Sequence, residues 1–411
     1  MSDIPGLPAR RAALQMIDAV LHRGETLETV DRNATRNIRG SADQALARAI
    51  AGETLRWLTD LDSMIDSVMK KPLPHDAKPR SVLRLMLAQW LRLETPPHAV
   101  IATALPLLNG GPRRLAHGVF STLNKQQGLA LPEIPTLPGD VEQRWGDRAA
   151  AIAAGIVTPP PLDLALKNWA TTDTRAKEMG GITLAAGHIR LPRGTRIEEL
   201  SGFADGDWWV QDLAASLPAR LLGAGEGKRV LDLCAAPGGK TMQLAAAGWD
   251  VTALDISDRR LGKVRQNLDR TCLKAEIVKA NALEWKPEEK FDAILLDAPC
   301  TATGTCRRHP DVVHRIGDRQ IEAQAELQHS LLMQAAGWLR EGGTLIYAVC
   351  SLESAEGEAQ ASAVELTPYP ILEGELPANL KPDDDGWLRT DPGMLADQGG
   401  LDGFFIARWR K

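Results

Sequence analysis

The sequence predicts an α/β protein in which a mostly parallel sheet, covered by helices on both faces, follows an all-α domain. Three observations predict it. From about residue 208 onward, short apolar runs alternate with loops and helical stretches, which is the grammar of a parallel sheet. Over the first 130 residues, apolar side chains recur instead at three- and four-residue intervals. The chain has 411 residues, 44% of them hydrophobic, enough for two or three such cores.

In the helical part, residues 1–130, Ser41-Ala-Asp-Gln44 has the spacing of a capping box. The apolar stripe Leu46, Ile50, Leu58, Leu61, Ile65 and Val68 follows it, and Leu83, Met86, Leu87, Trp90 and Leu91 repeat the pattern after Pro79, a residue tolerated in a first helical turn. Gly110, Gly111 and Pro112 set off a last short helix carrying His117 and Leu123. These stripes read as core faces. Residues 131–205, punctuated by Pro132, Pro135, Pro138, Pro159–Pro161 and Gly180-Gly181, read as a connecting module of mixed structure. In the third segment, 206–411, the expected strands are Arg229–Cys234, Asp250–Asp255, Phe291–Asp297 and Gly343–Cys350, with helices near 240–247, 258–269 and 318–340.

The net charge of −5 speaks against a polyanionic partner only if it is spread evenly, and it is not. Residues 1–200 carry 25 basic and 21 acidic groups, whereas residues 351–411 carry 5 and 12. No apolar run is long enough to cross a membrane as a helix, and the amino terminus lacks the pattern of a secretory signal, so the expected location is the cytoplasm. The five cysteines, Cys234, Cys272, Cys300, Cys306 and Cys350, are odd in number and none forms a CxxC pair. Thiols with individual roles are expected rather than a disulfide framework.

Several constellations carry chemistry. Asp232-Leu-Cys-Ala-Ala-Pro-Gly-Gly-Lys-Thr241 is a Gly-rich turn between a strand and a helix, a place where backbone can approach a ligand closely. Asp255 ends the next strand, at the spacing of a carboxylate that binds ribose hydroxyls. The turn has neither the dinucleotide glycine pattern nor the frame of a phosphate loop, so a nicotinamide or ATP reading is the weaker one. Asp297-Ala-Pro-Cys300 and Cys350-Ser351 each end a strand, which aims a carboxylate and two thiols at the crevice where an open parallel sheet collects ligands. Thr303-Gly-Thr-Cys-Arg-Arg-His-Pro-Asp-Val312 places Arg307 and Arg308 after a glycine-containing loop, suited to a phosphate or a base edge. Cys300, Cys306, His309 and His314 match no common zinc spacing, and no metal is expected.

Paired thiols suit one reaction in particular. Carbon 5 of cytosine becomes nucleophilic only when a thiolate adds to carbon 6; after methyl transfer the proton at carbon 5 must leave and the thiol be expelled. Chemistry alone does not say which of the two thiols attacks.

DLCAAPGGKT, DAPCTATGTCRRHPDV and YAVCS, in that order, resemble the cofactor loop and the two cysteine motifs of RNA cytosine-5 methyltransferases that use S-adenosylmethionine. The likeness extends through GDWWVQD at 206–212 and DGFF at 402–405, and ETLRWLTDLDSMID and RLETPPHAVI are similar to the NusB-like helical domain of bacterial small-subunit rRNA methyltransferases of the RsmB type. The resemblance implies a Rossmann-like methyltransferase domain at 206–411, a NusB-like RNA-binding domain at 1–130, and a connecting module that also binds RNA. It implies that Cys234, Ala235, Ala236, Pro237, Gly238, Gly239 and Lys240 wrap the methionine and ribose of S-adenosylmethionine. Asp255 would hold the ribose, Asn281 the adenine side, and Asp297 would lie beside cofactor and base. Cys350 would be the nucleophile and Cys300 would assist release. Two positions depart from the family pattern: Asn281 stands where an Asp is usual, and Val349 stands before Cys350 where a Thr is usual. The expected partner is RNA, small-subunit rRNA above all, met by a monomer. Arg307 and Arg308, with the basic groups of the first 200 residues, would form the RNA-facing surface, with the acidic tail away from it. The competing expectation is an RNA-binding assembly factor whose methyltransferase domain has degenerated.

Overall fold

A computed structural model describes residues 4–411, which divide into two compact units: 4–158 together with 306–316, and 159–305 together with 317–411. The expected connecting module is therefore not a body of its own; it splits at Thr158 between the two units.

The first unit is all-α. Seven helices, Leu7–Arg23, Leu27–Thr35, Ser41–Arg56, Leu58–Ser67, Lys78–Leu91, Pro97–Ala104 and Gly110–Asn124, are followed by the shorter Gly139–Trp145 and Ala149–Gly155. Ile50, Leu61, Ile65, Leu83, Met86, Leu87 and Leu123 meet in one core, as their spacing requires. The predicted stripe from Leu46 to Val68 is broken at Trp57, between two helices. The expected capping box is not formed: the helix starts one residue early, with Gly40 at φ 101° as its cap, and Gln44 Nε2 donates to the Ile38 carbonyl at 3.1 Å. The last expected helix begins at Gly110 itself, so the paired glycines lie in its first turn.

The second unit opens with an antiparallel sheet that periodicity does not reveal: β1 (Leu162–Leu166), β2 (Ile182–Ala185), β3 (His188–Leu191) and β4 (Trp208–Val210), in the order β2-β3-β1-β4. Arg190 on β3 clamps Asp163 on β1 with two bonds of 2.6 and 2.8 Å. Then come β5 (Arg229–Leu233), β6 (Asp250–Asp255), β7 (Glu276–Lys279), β8 (Phe291–Asp297), β9 (Leu339–Val349), β10 (Thr367–Pro368), β11 (Leu388–Thr390) and β12 (Phe404–Arg410). They form one sheet in the order β10-β12-β9-β8-β5-β6-β7, with β11 on β12. β5 to β9 pair in parallel, and β12 is antiparallel to β9. β5 is flanked by β6 on one side and β8 on the other, so the chain runs outward from β5 through β6 to β7 and then returns to β8 on its other side. The carboxyl ends of β5 and β8 thus border the crevice in which such sheets bind ligands.

Candidate active site

The Gly-rich turn leaves β5 at Cys234, whose φ of 67° places it in the left-handed region, and enters the helix Gly239–Ala246 through Gly238 at φ 103°. A side chain at Gly238 would be strained by that angle and would press on Val264 at 3.2 Å. Asp255, 1% exposed, braces the turn: its Oδ2 accepts from the Ala236 amide at 3.3 Å, and its Oδ1 accepts from the Ser257 amide at 2.8 Å and from Arg260 at 2.9 Å.

Asp232 lies beneath this turn at 0% exposure. Thr241 Oγ1 donates to its Oδ2 at 2.5 Å, while its Oδ1 has no hydrogen-bond partner among the described residues. Burial pushes this carboxyl up to about 7, with Asp297 and Asp255 adding to the rise. Burial, aided by the same carboxylates, pushes the Cys234 thiol up to about 12. A thiol raised in this way is disfavoured as a nucleophile.

The Asp232 carboxyl carries a testable sign. Between about pH 4, where a free aspartate titrates, and 7 the folded protein holds a proton that the unfolded chain has released. Stability therefore falls as pH rises through that window. Asp232→Asn should melt higher than the parent protein at about pH 8, the two curves converging near pH 4. A melting series across that range checks this; a lower melting temperature for the variant at the alkaline end would contradict it.

The two thiols come together. Cys300 follows β8, Cys350 follows β9, and these strands are parallel neighbours. The sulfurs sit 3.4 Å apart. The Cys350 sulfur beside it, followed by burial, raises the Cys300 thiol well above its ordinary range. Lys240 Nζ donates to Asp297 Oδ2 at 2.7 Å, tying the Gly-rich turn to the end of β8, and the ammonium lies 5.3 Å from the centre of the Phe404 ring. The Thr303–Thr305 turn is held by a close backbone approach: Gly304 donates to the Cys350 carbonyl at 3.0 Å and accepts from Gly403 at 2.8 Å. A Cβ on Gly304 would fall 1.9 Å from the Gly403 carbonyl oxygen. The motifs at 303–305, 350–351 and 402–405 thereby become one structure.

Not every expected residue joins this site. Arg307 is 0% exposed, in a segment that packs within the helical unit. There Arg56 Nη2 donates to the Arg307 carbonyl at 2.9 Å, Asp311 Oδ2 accepts from the Leu27 amide at 3.2 Å, and His314 Nε2 meets the Leu55 carbonyl at 2.6 Å. This corrects the reading of Arg307 as an RNA contact, since a guanidinium withdrawn from solvent offers nothing to a phosphate; Arg308 is exposed. The Asn281 side chain folds its own turn, accepting from the Leu283 amide at 3.1 Å and donating to Glu284 at 2.9 Å. Val349 is buried at 0% exposure, opposite Phe405 in the antiparallel pair. The acidic excess after residue 350 is partly internal, with Glu356 and Asp402 both at 0% exposure.

Sequence reasoning missed several residues. Ile256 and Leu283, 62% and 40% exposed, follow β6 and β7 at the same sheet end as Asp255. Large apolar groups left in solvent beside a polar turn are a signal for a flat apolar ligand, and no periodicity reports it. A cleft of about 810 Å³ lies elsewhere, lined by Lys167, Trp169, Arg220 and the carboxyl end of the helix Gly239–Ala246. Its cations are engaged within the protein: Lys167 donates to the Thr271 carbonyl, Arg220 to the Ala186 carbonyl, and Arg175 pairs with Asp207. Among the described residues no cluster of His, Cys, Asp and Glu could hold a metal ion, and no helix is long and apolar enough to cross a membrane.

A doubly wound sheet with a glycine turn after its first strand and an acidic end to the second has the cofactor crevice of a methyltransferase, and two thiols stand at that sheet end. Comparison with known proteins agrees. Residues 219–410 match the family described as 16S rRNA methyltransferase RsmB/F, and residues 7–110 match the NusB family. The chain is 33% identical over 434 residues to ribosomal RNA small subunit methyltransferase B of Klebsiella pneumoniae, covering 97% of each. Among solved structures, a methyltransferase homologue from Pyrococcus horikoshii is 27% identical with a TM-score of 0.56, covering 66% of this chain and 93% of its own. NSun6 from Pyrococcus horikoshii, solved with SFG, shares the fold at 20% identity and a TM-score of 0.57, covering 67% of this chain and 98% of its own. The chain belongs to the 16S rRNA methyltransferase RsmB/F family.

Proposed function

We propose that this protein transfers a methyl group from S-adenosylmethionine to carbon 5 of a cytosine in small-subunit rRNA through a covalent adduct on Cys350. The observation that carries the proposal is the pair of sulfurs 3.4 Å apart at the ends of adjacent parallel strands, beside the cofactor turn. Methyl transfer to rRNA with S-adenosylmethionine is the activity of the family; the target atom, the adduct and the residue roles are the proposal.

The residues present fit the cofactor. Residues 234–240 and Asp255 would hold its methionine and ribose, Asn281 its adenine side with Ile256 and Leu283 as apolar flanks, and the unpaired Oδ1 of buried Asp232 leaves an acceptor beneath the turn. When bound, S-adenosylmethionine supplies an electrophilic methyl group. The protein's own groups do the rest. Cys350, as thiolate, attacks carbon 6 of the base, and carbon 5 gains the electron density to take the methyl group. Asp297, fixed by Lys240, is a carboxylate acceptor of the kind that suits the exocyclic amine of cytosine and discriminates against the carbonyl of uracil. Water then takes the carbon 5 proton, the electrons of that bond re-form the ring double bond, and Cys350 leaves carbon 6 as thiolate, with Cys300 beside it to assist. A base inside a duplex cannot reach the thiols, so the target is single-stranded or flipped.

Arg308 and the basic groups of the helical unit would contact RNA backbone. One chain supplies the cofactor turn and both thiols, so a monomer suffices. The location this reading implies is the cytoplasm, where the substrate is made.

Small-subunit rRNA incubated with labelled S-adenosylmethionine should acquire 5-methylcytidine at a single position; absence of label would remove the proposal. Asp255→Asn should weaken S-adenosylmethionine binding by about 10- to 100-fold, the range expected for charge-assisted hydrogen bonds. Calorimetry on the folded variant checks this, and an unchanged affinity would take Asp255 out of the cofactor site.

A further inference from the structure

The Glu356 carboxylate is fully buried, yet no Lys, Arg or His pairs with it among the described residues. Four neutral donors meet it instead. Oε1 accepts from the Thr301 amide at 2.9 Å and from Gln328 Nε2 at 2.9 Å; Oε2 accepts from the Thr301 hydroxyl and from the Ser351 hydroxyl, the latter at 2.5 Å. Its backbone carbonyl accepts from the Tyr347 hydroxyl at 2.5 Å. Burying a carboxylate is costly unless such donors compensate it. What these donors share is their place in the chain. Thr301 adjoins Cys300, and Ser351 adjoins Cys350. Gln328, on the helix Asp318–Trp338, also donates to the Pro299 carbonyl at 2.9 Å, so the same cluster grips Cys300 from both sides.

We propose that Glu356 is the positioning residue of the thiol pair: one buried carboxylate ties the Cys300 loop to the Cys350 loop and sets the distance and direction of the two sulfurs. It touches neither sulfur nor substrate and acts through Thr301 and Ser351. The proposal rests on the two-thiol reading of the site. Neutral donors serve this purpose better than a cation would, because hydroxyls and amides fix two loops without placing a mobile positive charge between them and the thiols.

The test combines kinetics with a chemical ruler. A short dithiol-bridging reagent, followed by peptide mass spectrometry, should link Cys300 to Cys350 in the parent protein. Glu356→Ala should lose that link and lower kcat on the order of 100-fold, the cost of misplacing reacting groups by about an ångström. S-adenosylmethionine affinity and KM should stay within about threefold, and the binding stoichiometry should stay near one per chain, which a loss of folded protein would lower. Glu356→Gln keeps an oxygen for the Thr301 amide and Gln328, and offers its amide to hydroxyls that can rotate to accept. It should restore the link and most of the rate. If Glu356→Ala does not fold, Ser351→Ala cuts the arm to Cys350, while Thr301→Val removes the hydroxyl bond of the arm to Cys300 and leaves its amide bond; both should weaken bridging and kcat, Ser351→Ala the more. Retained bridging with near-parental kcat in Glu356→Ala, or in both single-arm variants, would overturn the proposal. Bridging is read without RNA, so loss of the link in an enzyme that proved not to methylate cytosine would uphold the positioning role and overturn the function instead.

Discussion

Cys350→Ala is expected to abolish both 5-methylcytidine formation and any covalent protein–RNA species, with S-adenosylmethionine binding retained. Removing a nucleophile from a covalent mechanism costs up to on the order of a million-fold in rate, because the remaining groups have nothing to support. Here the dependence is sharper still, since carbon 5 of an unactivated cytosine has no tendency to accept a methyl cation. Cys350 lies at the end of β9 on the edge of the core, so losing its sulfur removes only a few packing contacts and the fold should survive. Gel analysis under denaturing conditions and calorimetry together check the two halves. Residual methylation in this variant would reassign attack to Cys300.

Cys300→Ala is expected to do the opposite to the adduct. Attack and methyl transfer need Cys350, while resolution of the product needs the neighbouring thiol, so a denaturant-resistant protein–RNA complex should accumulate to stoichiometry with the enzyme while turnover stops. The double variant should show no complex. The 3.4 Å separation makes this division of labour physically reasonable: one sulfur bonded to carbon 6 leaves the other within reach of the same ring. Full turnover by Cys300→Ala would show that release needs no second thiol.

The parallel core of the second unit was legible because strands buried on both faces read as uninterrupted apolar runs, as in Val230-Leu231 and Ile294-Leu295-Leu296. β7 was not, because Glu276-Ile-Val-Lys279 is a short strand at the sheet's edge, charged at both ends. The sheet at 162–210 escaped for another reason. β3 buries His188 and Arg190, and a buried ion pair looks like surface in any hydropathy pattern. The same rule hid Glu356, which sits in an acidic stretch expected only to lie away from the RNA-facing surface. It also misplaced Arg307, whose burial depends on a segment that joins the helical unit from more than 140 residues beyond Thr158. The thiols and cofactor turn were legible because their chemistry demands particular residue types at strand ends. The groups that hold them in place carry no such signature.

RNA carrying 5-fluorocytidine at the target blocks the final step, because fluorine cannot leave as the proton does. Incubated with the parent enzyme and S-adenosylmethionine, it should yield a complex whose proteolysis leaves a methylated fluorocytidine on the peptide containing Cys350. The same nucleotide found on the Cys300 peptide, or no complex at all, would contradict the account at its centre.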